Sequence, residues 1–289
     1  MTVPVLQGVS EVADRYEGFI LDLWGVVHDG VTVFPGVIDA LERLRAAGKK
    51  LVFLSNAPRR AHIVAEQLNA FGVTDLLYDG VMSSGEATWR YLDARPDDWS
   101  QTLGRSCLQI GPDRDLGILK GLDIDPAKSV AEADFILVTG PNDRMNSAEP
   151  YDAMLREAHA AGKRMICANP DREVIRGGIR QICAGAIAER YENLGGEVRW
   201  HGKPDPTIYE ECFQFLKTTN KSGILGIGDS YTTDIKGANM AGLDALLVAG
   251  GIHGSDLIHT SGNLDGSRTG ERAKAEGVHL IGVVEAFVW

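Results

Sequence analysis

Short apolar runs alternate with amphipathic stretches along the whole chain, and that alternation sets the first expectation. The run "FILDLW" reads as a strand. From Gly36 to Ala47, the residues Val37, Ile38, Leu41 and Leu44 share one helical face, and Gly48 supplies the stop. "KLVFLSNA" reads as a second strand leading into a turn at Pro58. A helix from about Arg60 to Ala70 follows and ends at Gly72, and "DLLYDGVMSS" carries the chain to a third strand. The middle repeats the rhythm, with "SCLQIG", "DFILVTG" and "RMICANPD" as strands and helices near Arg114–Lys120, Ala148–Ala161 and Ala184–Leu194. The last third resumes the rhythm of the first, with "GILGIGDS", "DALLVAGG" and "GVHLIGVV" as strands and a helix beginning in "TDIKGANMAG". The Gly- and Ser-rich "HTSGNLDGSRTG" reads as an exposed loop.

Such alternation favours an α/β fold with a doubly wound parallel sheet. The expected organisation is a Rossmann-like core made from both chain ends, residues 1–83 and 200–289, with a second α/β unit inserted at 84–199. Composition narrows the class without choosing a function. A chain of 289 residues, 44% hydrophobic and 24% charged, has the make-up of a globular protein. No apolar stretch approaches a membrane span, and the N-terminus lacks the regions of a signal peptide, so the expectation is a cytoplasmic protein with no membrane partner. The net charge of −11 argues against a nucleic-acid partner. Cys107, Cys167, Cys183 and Cys212 show no metal or redox spacing and read as small buried apolar groups.

In an open parallel sheet, ligands bind beyond the carboxyl ends of the strands. Four segments put reactive groups at such ends. Asp22 follows "FIL"; Ser55 and Asn56 end "LVFLSN"; Lys203 lies in "WHGKPDP"; Asp229 ends "GILGIGD", with Asp234 shortly after. Taken singly, each has a plain reading as a helix cap, a turn residue or a solvated side chain. Taken together they form a phosphoryl-transfer set. Asp22 and Asp229 offer oxygen ligands to Mg²⁺, and Asp234 holds one of its waters. Asp22 attacks phosphorus, Ser55 donates to a phosphoryl oxygen, and Lys203 offsets the charge that builds up.

The ordered set "DLWGVVHDG", "LSNA", "GKPDPTIY" and "GDSYTTDIKGANMAG" resembles the haloacid dehalogenase superfamily. More narrowly it resembles the class IIA branch, whose phosphatases carry a type-2 α/β cap between the second and third motifs. The segment "ANPDREVIRGGIRQICAGAIAERYENLGG" is similar to that cap. The resemblance implies Asp22 as nucleophile, with Asp22, the main-chain carbonyl of Trp24, Asp229 and Asp234 around Mg²⁺. Gly25, Asn56, Asn169 and Asp171 are then the candidates for substrate contact. It also implies a small phosphorylated metabolite (a sugar or aryl phosphate) as substrate, and a homodimer formed through the cap.

One position departs from the pattern. Two residues after the nucleophile, the branch usually carries a second aspartate that protonates the leaving oxygen and then activates water; here it is Trp24. A backbone carbonyl can still hold metal, but an indole has no acid or base function. Either the substrate has a leaving group that needs little protonation, or His28 or Asp29 supplies the proton, or the protein binds phospholigands and turns them over poorly. A metal-free carbon–halide hydrolase, whose superfamily relatives carry an aromatic residue at this place, is the remaining alternative. The retained Asp229 and Asp234 argue against it.

Overall fold

The computed structural model describes residues 2–143, 145–176, 178–252, 254–257 and 264–289. Strands β1 (Gly18–Leu21), β2 (Lys50–Ser55) and β3 (Gly80–Ser83) come first. Then follow β4 (Ser106–Ile110), β5 (Asp125–Pro126), β6 (Phe135–Val138), β7 (Arg164–Cys167), β8 (Glu173–Arg176), β9 (Ile179–Ile182) and β10 (Val198–Trp200). The chain closes with β11 (Ile224–Gly228), β12 (Asp244–Val248) and β13 (Gly282–Val284). The outermost segments form one sheet in the order β13-β12-β11-β1-β2-β3, parallel at every pairing. The middle forms a second parallel sheet, β10-β7-β6-β4-β5, and a separate antiparallel hairpin of β8 and β9.

Buried parallel strands need apolar side chains on both faces, and these alternate cleanly. Phe19, Leu21, Leu51 and Phe53 pack with Leu41, Leu44 and Leu68 on one side of the large sheet. Ile20, Val52 and Leu54 pack with Ile208, Tyr209 and Leu216 on the other. The smaller sheet repeats the arrangement, with Ile136, Val138 and Met165 facing one cluster and Phe135, Leu137 and Ile166 the other. All four cysteines are buried and free. Among the described residues no helix is long and apolar enough to cross a membrane.

The large sheet grows outward from β1 in both directions, to β2 on one side and β11 on the other. That reversal of winding opens a crevice at the carboxyl ends of β1 and β11, where open α/β sheets bind ligands. The loop expected over "HTSGNLDGSRTG" needs correction. Residues 259–263 lie outside the described residues, but the helix Gly266–Ala275 already starts inside this stretch, capped by the Asp265 carboxylate on the amides of Ser267 and Arg268. Two of the glycines that suggested a loop, Gly266 and Gly270, are buried in this helix, as is Thr269 between them. Two further helices, Ser84–Ala94 and Thr207–Leu216, escaped the apolar pattern as read, as did the β8–β9 hairpin.

Candidate active site

The Asp22 amide donates to the Ile227 carbonyl at 2.9 Å, which continues the β1–β11 ladder and fixes the carboxylate at the mouth of the crevice. Asp229 follows β11 directly. Asp234 lies in the turn Tyr231–Ile235, where its Oδ2 accepts the Ser230 amide at 3.1 Å. The Ser230 hydroxyl is the helix cap, accepting from the Thr233 amide, and with Oδ2 on the Ser230 amide Asp234 still turns Oδ1 to Lys203. Carboxylate oxygens of Asp22, Asp229 and Asp234 all fall within 4.8 Å of one another, and all three residues are buried.

Lys203 closes the cluster from the other chain end. Its ammonium donates to Asp22 Oδ1 at 2.5 Å and to the Leu54 carbonyl at 3.0 Å, and lies 2.7 Å from Asp234 Oδ1. Burial works against its charge, yet Asp22, Asp234 and Asp171 together hold its pKa well above the usual lysine range. Burial pushes the Asp22 carboxyl up to about 7, with Asp234 and Asp171 adding and Lys203 opposing. Burial, with Asp22 and Asp234 adding, raises Asp229 well above the carboxylate range, although the Ile252 amide donates to its Oδ2 at 2.8 Å and Lys203 opposes. Gly25 is required by close approach: at φ 77° its missing Cβ would lie 2.0 Å from Asp229 Oδ2.

A cavity of ≈1300 Å³ spans this cluster, and the turn at 170–172 and the start of the hairpin form part of its wall. Asp22, Trp24, Gly25, Asp171, Lys203, Asp229 and Asp234 line it. Ser55, Asn56 and Asn169 do not lie on its wall. Ser55 is the buried last residue of β2, with Oγ accepting the Ala57 amide at 3.2 Å and its hydroxyl donating to no partner among the described residues. Asn56 is a clamp between core and cap: Oδ1 takes the Lys203 amide at 2.8 Å and Nδ2 donates to Asp171 Oδ1 at 2.8 Å. Asn169 shapes the turn, its Oδ1 accepting the Asp171 amide at 3.0 Å.

The Trp24 indole rests on Gly30, where a Cβ would come within 2.1 Å of the ring, and the His28 imidazole meets it edge-on with centroids 5.2 Å apart. His28 is buried between Trp24 and Phe71, and its Nδ1 accepts the Gly30 amide at 3.0 Å. Burial pushes its pKa down to about 4. The Asp29 Oδ1 takes the amides of Val31 and Thr32, and the Thr32 bond leads in holding its carboxyl below the usual range. Two contributors were missed from sequence. Gly251 makes room for the Asp229 carboxylate, and Arg172 to Ile175 of the hairpin form cavity wall. The signals were present, as the paired glycines after "DALLVA" and the apolar alternation around "RGG".

Two family models match, one described as a haloacid dehalogenase-like hydrolase over residues 19–125 and one as HAD-hydrolase-like over 200–265. A solved hydrolase of the haloacid dehalogenase-like family from Brucella suis superposes with a TM-score of 0.84 at 35% identity, covering 98% of this chain and 100% of its own. The chain is a haloacid dehalogenase-like hydrolase. The class IIA branch named from the motifs holds as well. The ribonucleotide monophosphatase NagD of Escherichia coli is 29% identical to this hydrolase over 83% of its chain and 90% of the relative. A D-glycerol 3-phosphate phosphatase of Mycobacterium tuberculosis is 25% identical over 85% of the hydrolase, which spans 66% of that longer relative.

Proposed function

We propose that this hydrolase is a Mg²⁺-dependent phosphatase of small phosphorylated metabolites, working through an aspartyl-phosphate on Asp22. The observation that carries the reading is the cluster of three buried carboxyls at the switch point of the sheet, two of them held by one ammonium. The relatives named as phosphatases of a glycerol phosphate and of nucleotides support the substrate class. We also propose residues 1–83 and 200–289 as core and 84–199 as cap, and a homodimer formed through the cap.

The donor set fits a hard divalent cation. Asp22, Asp229 and Asp234 supply oxygen ligands, and the Trp24 carbonyl, which accepts no hydrogen bond among the described residues, adds a fourth. Three carboxylates against one Lys203 leave an uncompensated negative charge that a bare phosphate would not approach. A bound Mg²⁺ supplies charge neutralisation for nucleophile and substrate alike. The chain's own groups do the rest. Asp22 presents its carboxylate to phosphorus, Lys203 holds the nucleophile in place and offsets charge on the transferring group, and Ser55 donates to a phosphoryl oxygen. The cap turn and hairpin exclude bulk water.

Phosphate release from alkyl, aryl and acyl phosphates, with and without chelator and with Asp22→Asn as blank, tests the reading. Release that needs both metal and Asp22 supports it; metal-independent release, or none from any ester, overturns it. The raised carboxyls give a second test. A folded-state pKa near 7 for Asp22, against about 3.9 unfolded, means that the native protein keeps a proton the unfolded chain has lost. The contribution of Asp22 to metal-free stability is therefore full below about pH 4 and is lost as pH rises towards 7. Mg²⁺ binds the deprotonated carboxylates, so the gain in Tm on adding it should widen from pH 5 to pH 8. A gain that stays flat or narrows places the ion elsewhere.

A further inference from the structure

The indole at position 24 leaves the departing oxygen without a proton donor in the usual place, and the geometry excludes both neighbours in the same loop. His28 is sealed between two rings with Nδ1 occupied, off the cavity wall. Asp29 reaches the wall, but as a carboxylate fixed by two amides. Outside the three-carboxylate cluster, the wall offers Asp171, Glu173 and Asp205. Glu173 is paired with Arg180 across the hairpin, and Asp205 accepts the amide and hydroxyl of Thr207 at the start of a helix.

Asp171 differs from these two. Asn169 fixes its main chain, and the Asn56 amide holds Oδ1 at 2.8 Å. Among the described residues Oδ2 carries no hydrogen bond. The same Asn56 grips the Lys203 amide at 2.8 Å, and the Lys203 ammonium sits 2.5 Å from Asp22. These contacts tie the Asp171 carboxyl through Asn56 to the residue whose ammonium holds Asp22, and Asp171 and Asp22 line the same cavity.

We propose that Asp171, delivered by the cap, is the general acid and base of the hydrolysis, a role resting on the phosphatase reading above. In the first half, an Asp22 oxygen bonds to phosphorus as the ester P–O bond breaks. The bonding pair goes to the leaving oxygen, which takes the proton of the Asp171 carboxyl. In the second half, the Asp171 carboxylate takes a proton from water as that water's oxygen bonds to phosphorus. The bond from phosphorus to Asp22 breaks, phosphate leaves, and both groups return to their starting states. The charge environment suits a carboxyl that must carry a proton. Burial raises its pKa first, Asp22 and Asp234 face it from the core, Cys167 and Cys183 from the cap, and Lys203 and the Asn56 hydrogen bond oppose.

Leaving-group dependence separates an acid from a merely structural turn residue. Asp171→Asn keeps a carbonyl oxygen for the Asn56 contact and loses the proton. Its kcat/KM should fall ~10²–10⁴-fold for an alkyl phosphate but less than ~10-fold for p-nitrophenyl phosphate, whose phenolate departs unaided. The alkaline limb of the alkyl-ester pH profile should disappear with it, while inhibition by inorganic phosphate keeps its constant. Adding Trp24→Asp to this variant should restore alkyl-ester turnover. Equal losses for both esters would overturn the proposal and leave Asp171 as scaffolding. Absence of Asp22-dependent release from either ester in the unaltered protein would instead overturn the phosphatase reading, and this role with it.

Discussion

Asp22→Asn is expected to abolish phosphate release, by about 10⁴–10⁶-fold, as loss of a nucleophile does when the rest of a site stays intact. The amide is nearly isosteric and leaves the backbone bond from residue 22 to Ile227 untouched, so the sheet edge keeps its geometry. What disappears is the carboxylate that must bond to phosphorus. The substitution also removes one ionisable carboxyl from a crowded group of three, so the metal-free variant should melt at the same temperature as the parent or higher at pH 8. Acid-quenched samples after mixing with a phosphate-labelled ester should carry label on the parent chain and none on the variant. A variant that retained more than ~1% of the turnover would remove Asp22 from the chemistry.

Lys203→Met carries the second large effect. The ammonium is 3% exposed and touches Asp22, Asp234 and the Leu54 carbonyl at once, so its loss strips two carboxylates of their counter-charge. Turnover should fall ~10²–10³-fold, the usual cost of one donor aimed at developing charge. Without metal, the variant should also lose about 3–5 kcal/mol at pH 8, since removing one partner leaves buried charge unpaired. That loss should shrink towards pH 5 as the raised carboxyls take up protons. Lys203→Arg should not rescue turnover, because a planar guanidinium does not fit a pocket shaped for a point donor 2.5 Å from one oxygen and 2.7 Å from another. Urea unfolding with chelator at both pH values, beside steady-state rates, checks both halves. Full activity in the arginine variant would show that charge alone is needed.

The site was partly legible because strand ends in a parallel sheet are local features. "FILD" and "GILGIGD" each show an apolar run stopping at an acid, and the fold turns both stops to the same edge. Lys203 was legible only as a motif member; nothing local says that it meets a residue 181 positions away. Asn56 reads from sequence as a substrate contact, yet it spends both ends of its amide joining Lys203 to Asp171, and a polar side chain's partner is a matter of three-dimensional distance.

His28 shows the same limit most clearly. As a sequence residue it is the natural proton donor near neutral pH, four places after Trp24. Packing removes that role, because the ring is enclosed by Trp24 and Phe71 and burial favours its neutral form. The sequence by itself determined the alternation of strands and helices, the order of the reactive residues and the indole at position 24, since all of these are carried by neighbours along the chain. Tertiary structure alone decided which carboxyls crowd together, which histidine is sealed away and which carboxyl Asn56 ties to Lys203. Those depend on burial and on distances between segments far apart in the chain, and a periodic pattern of apolar residues carries no information about either.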